Sequence, residues 1–368
     1  DGGADDDAIT LAGGSVSGTL SGGTGGTDAD VITGTVSGEA INITGTGAGT
    51  IAGEAFVDFE TVDGGAGIDT FTFAASATID VDGGAGADIF TINQAITGAI
   101  DGGADGDAIN LDTGGSATSI SGGTGTDTMS FPDAVQTINI TGAGSGDLNS
   151  GQTFTAVEAI TGGSADDLFV YTNAGSISGA LVGGGGTDTL QGDADGNAFG
   201  ISGTGTGTLT GKSSGWSGIT NLVGGVGTDA FTIAEGIVLA GSIAGAGGSD
   251  TIDVSAYTTS VDVVLTAAGT TDGMDGTSAA LTSGFTDINV LTGSGVAGSS
   301  LTGDDFAADW SITGGDSGTY TEVLGGEAIS FSGFDDLIGG TADDAFTIVS
   351  GGTLSGSIAG GGTGTDSL

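Results

Sequence analysis

The chain has 368 residues, of which 82 are Gly and one is Pro, and carries 47 acidic residues against one basic residue, Lys212, for a formal charge of −46. That charge excludes nucleic acid and anionic membrane surfaces as partners, since both need clustered Lys and Arg. With no Cys there are no disulfides and no thiolate metal sites. Yet 37% of the residues are hydrophobic, too many for a disordered acidic tail, and no apolar run reaches the roughly 20 residues that cross a bilayer.

In chain order, the first element is already a six-residue turn, Gly-Gly-x-Gly-x-Asp, and it recurs throughout. Its last position falls at Asp7, Asp28, Asp69, Asp88, Asp107, Asp127, Asp147, Asp167, Asp188, Asp229, Asp250, Asp344 and Asp366. Most neighbours stand 19 to 22 residues apart, and the gaps of 41, 41 and 94 approach multiples of that period. Gly45–Thr50 and Gly203–Thr208 read as degenerate turns filling the two shorter gaps.

Each turn is bracketed by apolar residues at alternate positions. Phe71 and Phe73, Phe90 and Ile92, and Ile109 and Leu111 follow the Asp, while Val62, Val81, Ile100 and Ile120 precede the glycines. Alternation over four or five residues predicts half-buried strands. Two short strands per 20 residues bury nothing alone, so the coils must stack. The expectation is an all-β, parallel β-solenoid, β-roll-like, of about eighteen coils with a period near 20 residues. At ~4.8 Å per stacked strand it would rise roughly 85 Å.

A slower rhythm overlies the coils. Phe56, Phe154, Trp216, Phe285 and Phe334 each open a short apolar run that enters a Gly turn, and each reads as an aromatic plugging a wider coil. From Ser255 to Gly284 the register loosens, with a protruding loop expected near Thr270–Gly276. The chain therefore divides into regular coils over 1–254, an irregular coil over 255–284 and further coils over 285–368. Asp63, Asp82 and Asp101 form a second acidic register just before their glycine pairs. Both ends lie inside a repeat, which predicts a stretch of a longer run of coils, or chains joined end to end.

Gly64-Gly-Ala-Gly-Ile-Asp-Thr-Phe-Thr72 and Gly122-Gly-Thr-Gly-Thr-Asp-Thr-Met-Ser130 resemble the calcium-binding nonapeptide of repeats-in-toxin proteins. The resemblance covers nearly the whole chain, which also looks like the giant repetitive surface proteins of bacteria. It implies a parallel β-roll with calcium between successive turns, held by the Asp carboxylate and turn carbonyls. It further implies type I-like secretion and a place outside the cell or on its surface. The family has a Gly turn on both edges of the coil. Only one fits here, so a single calcium row is expected, with the thirteen Asp residues above as its ligands.

The residues agree with this independently. Calcium takes six to eight oxygen ligands in flexible geometry, and a column of carboxylates repels itself without a counter-ion. No His, Cys or Arg is available for catalysis. The acid pairs Asp166/Asp167 and Asp343/Asp344 sit inside the repeat turn, so no enzyme is expected. Lys212 reads as a solvated turn residue. The leading expectation is a calcium-rigidified structural or adhesive stalk, with self-association and cell-surface or glycan partners. The alternative is a module binding glycans or ice through a flat solenoid face. Against it, the third turn position varies between Thr124, Ala66 and Val226, and no outward aromatic row is evident.

Overall fold

Branched and aromatic residues at every second position, punctuated by glycine pairs, favour short strands over any helix. The computed structural model describes residues 2–23, 29–149 and 151–368, and these contain strands and turns but no helix. None of them forms a helix able to cross a membrane. The chain is an all-β parallel solenoid. It divides into two compact units, one of residues 1–169 and 174–186, the other of 170–173 and 187–368.

In the first unit, one sheet stacks Thr61–Asp63, Asp80–Asp82, Ala99–Asp101 and Ser119–Ser121 in parallel. The facing sheet stacks Thr70–Phe73, Ile89–Ile92, Ala108–Leu111 and Thr128–Ser130. Register puts like on like: Val62 on Val81, Val81 on Ile100, Phe71 on Phe90 and Phe90 on Ile109. The expected ladders form the core, and the rings of Phe71 and Phe90 stack at 4.6 Å. In the second unit Phe199, Phe231 and Ile252 are likewise in register, with Phe199 and Phe231 stacked at 4.7 Å.

Antiparallel meanders interrupt the coils. Among its described residues the first unit has two, Ala40–Gly45/Ala48–Ile51/Glu54–Val57 and Thr137–Gly142/Ser145–Leu148/Gln152–Thr155. The second has three, which start at Ala198, Asp262 and Ala308. In each, a middle-strand glycine lies under an aromatic ring of the third strand. A Cβ on Gly49 would lie 2.6 Å from Phe56, and one on Gly146 would lie 2.5 Å from Phe154. Gly207 under Trp216, Gly276 under Phe285 and Gly318 under Phe331 repeat the arrangement. Four of the five expected aromatics thus mark a coil in which three strands replace one, while in the last meander Phe331 takes that place and Phe334 lies just beyond the third strand.

Three sequence expectations are corrected here. Gly45–Thr50 and Gly203–Thr208 are hairpin turns, closed by Gly45 opposite Ala48 and Gly203 opposite Thr206. Asp147 belongs to a middle strand, opposite Asn139. Residues 262–288 form a meander in which Met274 is fully buried, rather than an irregular coil with a loop. Gly-x-Gly spells both kinds of turn, and only pairing distinguishes them.

The meanders also decide which turn carries the Asp. Val31–Thr33 and Thr61–Asp63 are direct neighbours in one sheet. Opposite them, three meander strands separate Leu20–Ser21 from Thr70–Phe73. One sheet has gained two strands that the other lacks, so the climb from coil to coil passes to the opposite edge. The Gly–Asp turn follows it. Asp7 precedes a strand of the first sheet, Asp69 to Asp127 precede strands of the facing sheet, and Asp167 again precedes the first. The single row of Asp turns expected from the sequence is broken into shorter files.

Candidate functional site: the carboxylate files

The repeat Asp residues that stack in files fold back beneath their own turns. Asp69, Asp88, Asp107 and Asp127 are at most 1% exposed. One carboxylate oxygen accepts the backbone N–H of the equivalent residue in the neighbouring coil. Asp69 N–H donates to Asp88 at 2.7 Å, Asp88 to Asp107 at 2.7 Å, and Asp107 to Asp127 at 2.8 Å. The file starts at Glu39, whose N–H donates to Asp69, and ends at Glu158, which accepts from Asp127. A shorter file runs Asp7, Asp30, Glu60, and Gln136 N–H donates to Asp167 at 2.8 Å.

The second unit repeats the arrangement. Asn197 donates to Asp229 at 2.7 Å, Asp229 to Asp250 at 2.8 Å, and Asp250 to Asn289 at 2.8 Å. Asp344 N–H donates to the exposed Asp366 at 3.1 Å. Asp188 is fully buried at the head of its strand. Asp28 lies outside the described residues, and Asp147, bonded to Asn139 at 2.8 Å, stands outside every file.

The first glycine of the turn makes this possible. A Cβ on Gly64 would lie 2.5 Å from Asp69 Oδ2 and equally 2.5 Å from the carbonyl oxygen of Gly83 in the next coil. The same pairing crowds Gly83 (Asp88 and Gly102), Gly102 (Asp107 and Gly122) and, in the second unit, Gly245 (Asp250 and Asp287). The second glycine adopts the left-handed backbone, φ +95° at Gly65 and +90° at Gly84, where a side chain is strained. In the second acidic register, Asp63 and Asp82 accept the N–H of that glycine, at 2.7 and 2.9 Å.

The second carboxylate oxygen is the anomaly. Oδ2 of Asp69, Asp88, Asp107, Asp127, Asp229 and Asp250 is buried without a hydrogen-bond partner. It shares its site with a carbonyl oxygen, so two acceptors sit together with no donor between them. Such an arrangement is costly unless a proton or cation enters it. Burial, foremost, pushes Asp69 and Asp107 up to about 7 and Asp88 and Asp250 up to about 6, with neighbouring carboxylates adding to the shift.

The donor set suits the calcium expected from the sequence. It is all oxygen, carboxylate and carbonyl, the hard ligands that ion prefers. Among the described residues no three carboxylates are grouped to hold an ion, so carbonyls would supply most of the coordination.

At Asn197, where the file of the second unit departs from Asp, the protein supplies the missing donor itself. Asn197 Nδ2 donates to the carbonyls of Asp193 and Asp195, at 3.1 and 2.9 Å. Beside it Lys212 pairs with buried Asp193 and donates to the carbonyls of Asn173 and Thr172, at 3.1 and 3.4 Å. Its side chain is 14% exposed, so it is no solvated turn residue. The only basic side chain of the chain fills a cradle of one carboxylate and two carbonyls. No family model matches the chain, and no curated protein matches it.

Sequence reading missed the residues that end the files. Glu39 and Asn197 close looser turns, Gly34-x-x-x-x-Glu39 and Gly192-x-x-x-x-Asn197. Glu60, Glu158 and Asn289 each end an aromatic-x-x-apolar-Glu/Asn signature, as in Phe154-x-x-Val157-Glu158. A search that relaxed the second glycine and admitted Glu and Asn would have found both groups.

Proposed function

We propose that this chain is a structural, stalk-forming or adhesive part of a secreted or cell-surface protein, in which calcium closes the Gly–Asp turns. The observation that carries this reading is the file of buried carboxylate oxygens set against carbonyl oxygens with no donor between them. The residues that would hold the ion are Asp69, Asp88, Asp107, Asp127, Asp229 and Asp250, with the turn carbonyls beside them. When bound, calcium supplies the positive charge that lets these carboxylates ionise without repelling one another. The chain's own part is to fix one oxygen of each carboxylate on the next coil's amide and so aim the other inward. Asn197 and Lys212, which provide donors where the pattern breaks, support the same reading.

Because an ion bound only by the folded chain stabilises it by mass action, calcium is expected to control folding. At neutral pH, EGTA should lower the melting temperature by about 10 °C or more, or abolish the β signal in circular dichroism, and added calcium should restore it. A β signal and melting temperature indifferent to EGTA would remove calcium from the proposal.

A further inference from the structure

A second pair of buried acids lies outside the repeat files, at the last meander of the second unit. There Gly303-Asp304-Asp305-Phe306 replaces the Gly–Asp turn. Asp304 is 3% exposed, and Glu322, on the middle meander strand, is 6% exposed. Asp304 Oδ1 accepts the Tyr320 hydroxyl at 2.6 Å and the Phe306 N–H at 2.9 Å. Asp304 Oδ2 and Glu322 Oε1 are buried with no partner. Burial, foremost, pushes Glu322 up to about 7, and the neighbouring Asp304 carboxylate adds to the shift.

Asp304 holds the Phe306 N–H and the Tyr320 hydroxyl, and Glu322 accepts the Ala268 N–H, so the fold engages each carboxylate but leaves one oxygen of each without a donor. No basic side chain can compensate them, since Lys212 is spent on Asp193. Asp304 instead lines an open cleft of about 350 Å³, together with Asp305, Gly303, Gly340, Val264 and Thr266. That volume exceeds the roughly 30 Å³ share of one water several-fold, leaving room for an ion with part of its hydration shell. Carboxylates and water are the ligands of a hard divalent cation.

We propose that Asp304 and Glu322 form a divalent-cation site separate from the repeat turns, reached from this cleft through Asp304, with calcium or a hard ion of similar size as occupant. Its ligands are not those of the repeat turns. It also carries its own reporter, because the ring of Tyr320 touches Asp304 and lies 4.8 Å from that of Trp310. A terbium ion bound there is placed to take excitation energy from both rings.

The test is terbium luminescence of the full chain under aromatic excitation, with Asp304→Asn and Glu322→Gln as variants. The wild type should give emission that calcium displaces, and each variant should weaken terbium binding at this site about tenfold or more while the far-ultraviolet β signal is kept. Should Asp304→Asn disturb the fold, Glu322→Gln decides, since Gln retains a donor towards Asp304. Wild-type emission that calcium cannot displace would overturn the site, and so would emission undiminished in both variants. Variants that melt higher than wild type with unchanged emission would mean that the pair only shares a proton. A fold indifferent to EGTA would sink the calcium-closed turns and leave this emission untouched, so the two proposals fail separately.

Discussion

At the scale of single residues, the repeat Asp does two unlike things with one carboxylate. In Asp107, one oxygen holds the Asp88 N–H at 2.7 Å and the other has no donor. Asn197 shows how an amide resolves this, with Oδ1 available as an acceptor and Nδ2 turned to nearby carbonyls. In chelator at pH 7, Asp107→Asn is therefore expected to raise stability by about 1–3 kcal/mol, and in calcium to lower it relative to wild type. Asp107→Ala, which deletes the acceptor, should destabilise under both conditions. Urea unfolding of the three proteins, with and without calcium, checks this. An Asn variant that followed wild type in both buffers would show that the second oxygen is satisfied by other means.

At the scale of elements, the meander rests on one aromatic laid over one glycine. Phe154 is 1% exposed and covers Gly146, in a middle strand whose neighbours both run antiparallel to it. Truncating it removes a large buried side chain and uncovers backbone the glycine cannot shield. Phe154→Ala should cost about 3–5 kcal/mol. Hydrogen exchange should then rise first across residues 137–155 while the parallel strands around Phe71 and Phe90 keep their protection. Uniform loss across the first unit would mean that meander and coils melt together. These elements were half legible. The aromatic rhythm is visible in the sequence, but the Gly-x-Gly between its strands reads as a weakened repeat turn, because strand direction is not written in the local sequence.

At the scale of the molecule, the buried acids set a pH dependence whose sign reports their occupant. The folded values of about 6 to 7 at Asp69, Asp88, Asp107 and Asp250 stand above the ordinary 3.8. Between those limits the folded chain holds more protons than the unfolded one, so stability falls as pH rises. This contribution is fully present below about pH 4 and is lost as pH climbs through 6 to 7. In chelator the melting temperature should thus be higher at pH 5 than at pH 8, and calcium, which favours the ionised form, should narrow or reverse the difference. A chelated protein more stable at pH 8 than at pH 5 would show that these carboxylates are compensated from within the chain.

The sequence by itself determined the all-β character, the 20-residue period, the inward Phe, Ile and Val ladders, and the pairing of the first glycine with the Asp five residues on. Each of these is a local pattern, fixed by side-chain alternation and by backbone that only glycine adopts without strain. The tertiary structure decided the rest. Whether Gly-x-Gly turns a coil or a hairpin depends on which strand lies alongside. The edge that carries the Asp depends on the two strands by which one sheet outnumbers the other between Val31–Thr33 and Thr61–Asp63. That Asp69 to Asp127 point inward, capping amides of other coils, and that Asp304 lies beside Glu322, are contacts between residues 18 to 31 positions apart. Stacking alone creates those contacts.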